Sequence, residues 1–474
     1  MNKLFNKIFL FIIILNVVIY SQEKENSTEN NFIQVRGDSL VGRTVDGEMI
    51  REVYGNVNIT QGNILITCLK AVQYISRNEA ELTGDVVIKQ DSVTITTQHG
   101  FYYGDTRTSV SDVPVKLDDG KIILTALKGN YFFNEKKAYF QNNVVLKDSI
   151  TKLRADSLSY YKDENRIKAI SNVEIQDTSN IIYADTLEYF RDSRISVADN
   201  NVRIINRGNN IEIFGNHLED YPEKKFTLIN QKPVLIQVDT TYVQNNNQES
   251  PVVSKPDSSI KIDTLVIRSK IMESYRDSSN TFKAIDSVTI IRGNFASEND
   301  YTLYLKSEDK IITNKPDSSV NQPILWYENS QLTGDSVVIG LENNKIKFLK
   351  VRNNSFIISQ NETDSARFDQ TSGDSVLMEF ENSLLNTTTI YKNVLSIYYQ
   401  YDSGEPNGLT KSSSQKAVIY FKDKKVDEIR MYGSPNTEYY PENMILGKEK
   451  EFILPKYIPF KVKPGKEELL KSKM

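Results

Sequence analysis

Six segments of this chain, "GNVNI" around Val57, "GDVVI" around Val86, "VPVKL" around Val115, "NNVVL" around Val144, "SNVEI" around Val173 and "NNVRI" around Val202, place a valine every 29 residues. Two positions on, the column reads Ile59, Ile88, Leu117, Leu146, Ile175 and Ile204, and nine on it reads Ile66, Ile95, Leu124, Leu153, Ile182 and Ile211. A repeat that holds phase for so long constrains the fold more than local propensity does, because each unit must bury the same face against its neighbours. Seventeen residues after each valine stand Tyr74, Tyr103, Phe132, Tyr161 and Phe190, and the column departs only at Glu219. Such rings either cover the ends of a β-core or stack on sugars, and covering the ends is the commoner use.

Inside a repeat the period is two. Ile167, Ala169, Val173 and Ile175 alternate with Lys168, Asn172, Glu174 and Gln176, as in a strand with one wet face. Polar runs such as "YKDEN" (161–165) and "QDTSN" (176–180) punctuate both ends, so each repeat predicts two strands joined by short turns. A strand of about ten residues with a small or polar residue near its middle bends there and serves two facing sheets. With 26 Tyr and 20 Phe and abundant β-branched and turn-forming residues, the chain is expected to be all-β. The expected body is an elongated stack of repeated antiparallel strand pairs, with an apolar interior and an exposed edge at each end.

Around "TTYVQNNNQESPVVSKPDSS" (240–259) the pattern dissolves, and beyond it a looser repeat begins. There "GDSVVIGLENNKIKFLKVRNN" (334–354) matches "GDSVLMEFENSLLNTTTIYKN" (373–393) at an offset of 39 residues, and "AVIYFKDKKVDEIRMYGS" (417–434) continues the series. The organisation expected is a first array at 32–240, a linker or loop at 241–260, a second array at 261–440 and a basic tail at 441–474 that docks as an extended cap or stays partly disordered. At the N-terminus Lys3 and Lys7 precede an apolar run from Ile8 to Tyr20 and then a polar segment. That order is a secretory signal with cleavage after Ser21, since the run is shorter than the roughly 20 residues of a membrane span; an uncleaved anchor is the alternative.

"RGDSL" (36–40) spells the signature around the nucleophilic serine of one esterase family, but such a serine needs a base and an acid that orients it. The chain has only His99 and His217, and neither lies three residues after an Asp. The Asp-Ser/Thr-aliphatic triplet also recurs at Asp91, Asp148, Asp156, Asp185, Asp263, Asp286, Asp335 and Asp374. Repetition of that kind marks a strand bend or turn held by the Asp and Ser/Thr side chains ahead of an inward aliphatic, with Leu40 the first of these. The lone Cys68 reads as a small core residue, and one Cys with two separated His offers no metal-ligand spacing. Acidic pairs such as Asp118-Asp119 and Asp163-Glu164 read as solvated turn residues. A net charge of −4, with both signs mixed along the chain, provides no positive field for nucleic acid.

With the repeat laid out, "ADSLSYYKDENRIKAISNVEI" (155–175), "ADTLEYFRDSRISVADNNVRI" (184–204) and "PILWYENSQLTGDSVVIGLENNKIKFLKVRNNSFII" (323–358) resemble the OstA/LptA family of lipopolysaccharide-transport proteins, especially the long OstA-like proteins of the Bacteroidetes type. The resemblance covers about residues 32 to 440. It implies an open β-jellyroll, without enzymatic activity or cofactor, exported to the periplasm and possessing an interior that shields the acyl chains of lipopolysaccharide or lipid A; the two arrays read from the repeats depart from a one-domain shuttle of that family. The groove would be lined by Val57, Ile59, Val86, Ile88, Val115, Leu117, Val144, Leu146, Val173, Ile175, Val202 and Ile204. Partners would be other β-jellyroll transport proteins joined through edge strands, including an outer-membrane barrel translocon. Two other readings stay open: an exported β-solenoid scaffold or adhesin with a packed core and no ligand, and a carbohydrate-active β-helix enzyme, which would need a column of acids absent at the 29-residue spacing.

Overall fold

The computed structural model describes residues 33–208, 210–243, 259–315, 321–342, 345–361, 364, 366–382 and 384–471. The expected signal at 1–21 and the centre of the expected linker, 244–258, lie outside the described residues. The all-β expectation is met: the described chain is a succession of antiparallel strands with three short helical segments near its C-terminus and one mid-chain turn of 3-10 helix. The chain divides into two compact units, residues 1–109 and 110–474.

In the first unit the strands Glu48–Gln61, Ile64–Tyr74, Glu79–Gln90 and Val93–Tyr103 pair in sequence order as a meander. The second unit continues in the same manner with Lys137–Lys147, Lys152–Tyr161, Arg166–Gln176, Asn180–Phe190, Ile195–Asn206 and Ile211–Tyr221. This is the expected two strands per repeat, and every long strand breaks register near its middle. On the strand of each repeat that carries the valine the break is a pair of consecutive residues in the left-handed region: Gly55-Asn56, Gly84-Asp85, Asn142-Asn143, Ser171-Asn172 and Asn200-Asn201. Gly, Asn and Asp tolerate that conformation best, which explains the polar residues before each repeat valine. The third repeat confirms the cause. Pro114 stands where the other repeats place the second left-handed residue, and proline cannot take a positive φ, so here the strands are split into the short pieces Val115–Asp118, Ile123–Ala126 and Lys128–Phe132.

The bend folds each strand over on itself. Ala138 pairs with Tyr160 at one end of the strand Lys137–Lys147, and Lys147 pairs with Ile123 at the other. A straight strand would hold those ends about 30 Å apart at ~3.3 Å per residue. Yet Tyr160 Oη donates to Asp119 Oδ2 across 2.5 Å. The two halves of the strand therefore face each other, with the aliphatic columns between them.

The recurrent Asp belongs to these corners. Asn56, Asn172, Asn201, Asn354 and Asn393 each donate through Nδ2 to the Asp of a triplet on the neighbouring strand, Asp38, Asp156, Asp185, Asp335 and Asp374, at 2.6–3.1 Å. Asp148 instead caps a hairpin turn, accepting from the backbone N–H of Ile150 and Thr151. The inward aliphatic follows as expected at Leu158, Leu187, Val337 and Val376, all buried. It fails at Ile150, which is 45% exposed in the turn that Asp148 caps, and at Leu40, which is 54% exposed. Its strand, Ser39–Val45, pairs only with Glu48–Gln61 among the described residues and is exposed throughout, so Leu40 has no facing layer to enter.

In the second unit Val234–Val243 and Ser259–Arg268 pair in register as one hairpin across the expected linker. Beyond it a left-handed corner pair recurs at Asp286-Ser287, and the 39-residue repeat forms longer strands with such pairs at Asn353-Asn354 and Lys392-Asn393. Leu332, Val337, Leu349, Val351, Val376 and Ile390 share one cluster on the inner side of these strands.

Candidate functional site: the inward aliphatic face

The residues singled out from the repeat do share the inward face within each unit. Val57, Ile59, Val86 and Ile88 are buried in the first, as are Val115, Leu117, Val144, Leu146, Val173, Ile175 and Val202 in the second. Ile204 is half-buried, and so are its neighbours Ile205, Ile211 and Ile213. The aliphatic face is thus closed along most of each unit and becomes accessible around the strands Ile195–Asn206 and Ile211–Tyr221.

One column escaped the sequence reading. Sixteen residues after each valine stand Gln73, Tyr102, Tyr131, Tyr160, Tyr189 and Leu218, every one of them buried. Their neighbours at seventeen, including Tyr74 and Tyr161, face outward, where the guanidinium groups of Arg77 and Arg166 lie 4.2 and 4.0 Å from the ring centroids. It is the buried column that closes the core. The 29-residue spacing carried this signal as clearly as it carried the valines.

The buried tyrosines tie together strand ends that the corners bring face to face. In the first unit Tyr102 Oη donates to Gln61 Oε1, while Gln61 Nε2 donates to the carbonyl of Gly104 at 3.0 Å. In the second, Asp119 takes the place of Gln61: its Oδ2 accepts from Tyr160 and, at 3.2 Å, from Arg191 Nη1, and its Oδ1 accepts from the N–H groups of Lys121 and Ile122. Burial pushes the Asp119 carboxyl up, but Tyr160, the two backbone donors and the Arg191 charge outweigh it and hold the group below the usual carboxylate range. Asp119 is therefore half of a buried ion pair, contrary to the expectation of a solvated turn residue. Asp163 does match that expectation, with its side chain 66% exposed. The tyrosine column ends at Leu218, in the same stretch where Ile204, Ile211 and Ile213 are half-exposed.

Beside that opening His217 lies between Asp199 Oδ1 at 2.6 Å and Glu219 Oε1 at 3.0 Å. Its bond to Asp199 raises the imidazole pKa, burial opposes this, and Glu219 adds to the rise. Because the folded pKa exceeds the unfolded one, the stabilisation is complete below the ordinary value of 6.5 and is lost as pH rises through the elevated one. Denaturant midpoints should therefore fall on going from about pH 6 to pH 8 more in the parent than in His217→Gln; parallel pH profiles would exclude this coupling. Cys68 is buried, donates through Sγ to the carbonyl of Lys70, and has its thiol pushed up to about 11 by burial. Among the described residues no group of three or more His, Cys, Asp or Glu is arranged to hold a metal ion. Nor is any described helix long and apolar enough to cross a membrane.

Residues 31–143 and 127–221 each match the family described as OstA-like protein, so the OstA-like character read from the repeat is found on this part of the chain. No curated protein matches. Among solved structures a match is made to LptH of Pseudomonas aeruginosa, described as the LptA-homologous periplasmic component of the conserved lipopolysaccharide transport device. It is 17% identical over 36% of this chain and 85% of that one, with a TM-score of 0.12, too low to support a conclusion on fold or function.

Proposed function

We propose that this chain, OstA-like over residues 31–221, is a non-enzymatic, periplasmic lipopolysaccharide-transport protein that shields acyl chains against its inward aliphatic face. The observation that carries the proposal is the aliphatic column itself, which keeps its 29-residue register through the OstA-like part and becomes accessible at Ile204, Ile211 and Ile213. Acyl chains would enter there, where the tyrosine column has ended, and lie along Val173, Ile175 and Val202. No bond need be made or broken. Each methylene kept out of water is worth about 0.8 kcal/mol, so passage from one such face to another conserves the burial. The exposed edge Ser39–Val45, with Leu40 and Val41 open to solvent, offers backbone groups that are unpaired among the described residues to another β-jellyroll transport protein, an outer-membrane barrel translocon among them.

The proposal is tested with a photo-crosslinking residue at Ile175 in the exported full chain. Crosslinks to lipopolysaccharide are expected in the parent and are abolished by Val144→Asp or Val173→Asp, which place a carboxylate in the face. Ile213→Glu substitutes a half-buried position at the edge of a core cluster and should reduce crosslinking at least fivefold in protein whose circular dichroism shows it folded. Unchanged crosslinking in all three variants would sink the proposal. One observation favours a second reading, an exported scaffold without a lipid ligand: Val57, Ile59, Val86 and Ile88 are at most 3% exposed, as in a filled core. Mass spectra of lipids co-purifying with the exported protein separate the two, because a filled core retains none.

A further inference from the structure

The second array has an unusual outer surface. On the strands Phe295–Leu305, Ile324–Tyr327, Lys345–Gln360 and Leu384–Asp402 side chains opposite the inner cluster are also apolar and buried: Ala296, Trp326, Phe356, Ile358, Ile397 and Tyr399; the strands Ser330–Thr333 and Phe368–Glu381 lie among them. What covers them is the segment 441–471, crossing one strand after another. Its Ile445 and Leu454 pack with Phe356, Ile358, Ile397 and Tyr399, and its Leu469 packs with Ala296 and Trp326.

The polar part of this contact is written into the repeat. Gln331 and Gln370 stand 39 residues apart, the offset of the second array, and their side chains are buried on that outer face. Gln370 Nε2 donates to the carbonyl of Phe452 at 3.1 Å, and its Oε1 accepts from the N–H of Leu454 at 3.0 Å. Gln331 does the same seven residues further on, with the carbonyl of Pro459 at 3.2 Å and the N–H of Lys461 at 2.6 Å. Each amide thus takes the carbonyl of residue i and the N–H of residue i+2, the pairing that a neighbouring strand would offer an extended chain. Trp326 Nε1 adds a bond to the carbonyl of Lys461 at 3.0 Å, and Arg367 holds Glu442 through both guanidinium nitrogens.

We infer that the outer face of the second array is a recognition surface for an extended peptide with apolar anchors, read by Gln331, Gln370 and Trp326 and occupied in this chain by its own segment 441–471. Two equivalent side chains making the same pair of backbone bonds at successive peptide sites constitute a repeated reading device. A strap held by packing alone would not require equivalent positions of the repeat to carry the same amide. The site lies on the opposite side of its strands from the inner cluster and does not depend on the proposed lipid face.

The test keeps the chain whole until it has folded. A protease recognition sequence is inserted at Gly447, an exposed position with open space around it. After nicking, the probe is a fluorescent synthetic peptide of residues 448–471. The fragment is expected to stay bound until chased, and the body to take up one labelled peptide saturably. Gln331→Leu with Gln370→Leu should weaken capture at least tenfold, and a peptide carrying Leu454→Asp and Leu469→Asp should not be captured. Three results would each overturn the inference: a nicked body that stays folded but captures no peptide, equal capture by the double glutamine variant, or unfolding of the body as the fragment leaves, which would make the segment core and not ligand.

Discussion

Asp119→Ala is expected to destabilise the second unit by about 3–5 kcal/mol, the usual cost of removing one partner from a buried charge pair. The side chains of Asp119 and Arg191 are only 6% and 8% exposed, so little solvent is available to the guanidinium left behind. Tyr160 Oη, on a fully buried ring, would also lose its acceptor, and the turn would lose the acceptor of the Lys121 and Ile122 N–H groups. A fall in denaturant midpoint with an unchanged slope is the signature to look for. Asp119→Leu combined with Arg191→Met should recover much of the loss, because apolar replacement of both partners removes the stranded charge. A loss below about 1 kcal/mol in the single variant would show that the pair is solvated after all. The contribution has an acid limit too: with the folded pKa depressed, it is present above the ordinary carboxylate range and is lost as pH falls through the folded value, so parent and variant should converge in acid.

That pair also marks the boundary of what the sequence conveys. The valine and isoleucine columns were legible because a burial face repeated at fixed spacing leaves a periodic trace. The corners were legible as polar residues before each valine, since left-handed backbone selects Gly, Asn and Asp. The buried tyrosine column is hidden from simple alternation for a physical reason. Next to the corner of Asn180–Phe190 the buried residues are Ala184 before it and Leu187 and Tyr189 after it, so the parity of alternation flips between Ala184 and Leu187. The flip occurs at Asp185-Thr186, where the register with the preceding strand shifts. Uninterrupted alternation would send Phe190 inward and Tyr189 outward, the reverse of their burial. The partnership of Asp119 with Arg191 was beyond reach because it joins residues 72 apart across a fold that only the corner angle creates. The glutamine pair of the second array was in principle visible at its 39-residue offset, but its meaning depends on where the C-terminal segment lies.

The "GDS" triplet yields the sharpest contrast between letters and physics. Gly334→Ala and Gly373→Ala should each cost about 1–3 kcal/mol, whereas Ser39→Ala, Ser336→Ala and Ser375→Ala should stay within about 0.5 kcal/mol. A Cβ at 334 would come within 2.2 Å of the Val351 Cγ1 methyl, and one at 373 within 2.5 Å of the Ile390 Cγ2 methyl, both on fully buried side chains with no free volume to turn into. Gly37 in "RGDSL" meets the same condition, 2.4 Å from Val53 Cγ1. In the 29-residue repeat Ala155 and Ala184 stand before the matching Asp156 and Asp185, so the shorter repeat does accommodate a methyl there. The glycine answers to the tighter approach of an inward Val or Ile at these corners, the aspartate to the corner asparagine opposite, and the serine to neither. Thermal unfolding of the five single variants would reveal this order directly. Were the serine substitutions the costly ones, or glycine and serine substitutions equal in effect, the corner account of the triplet would fail.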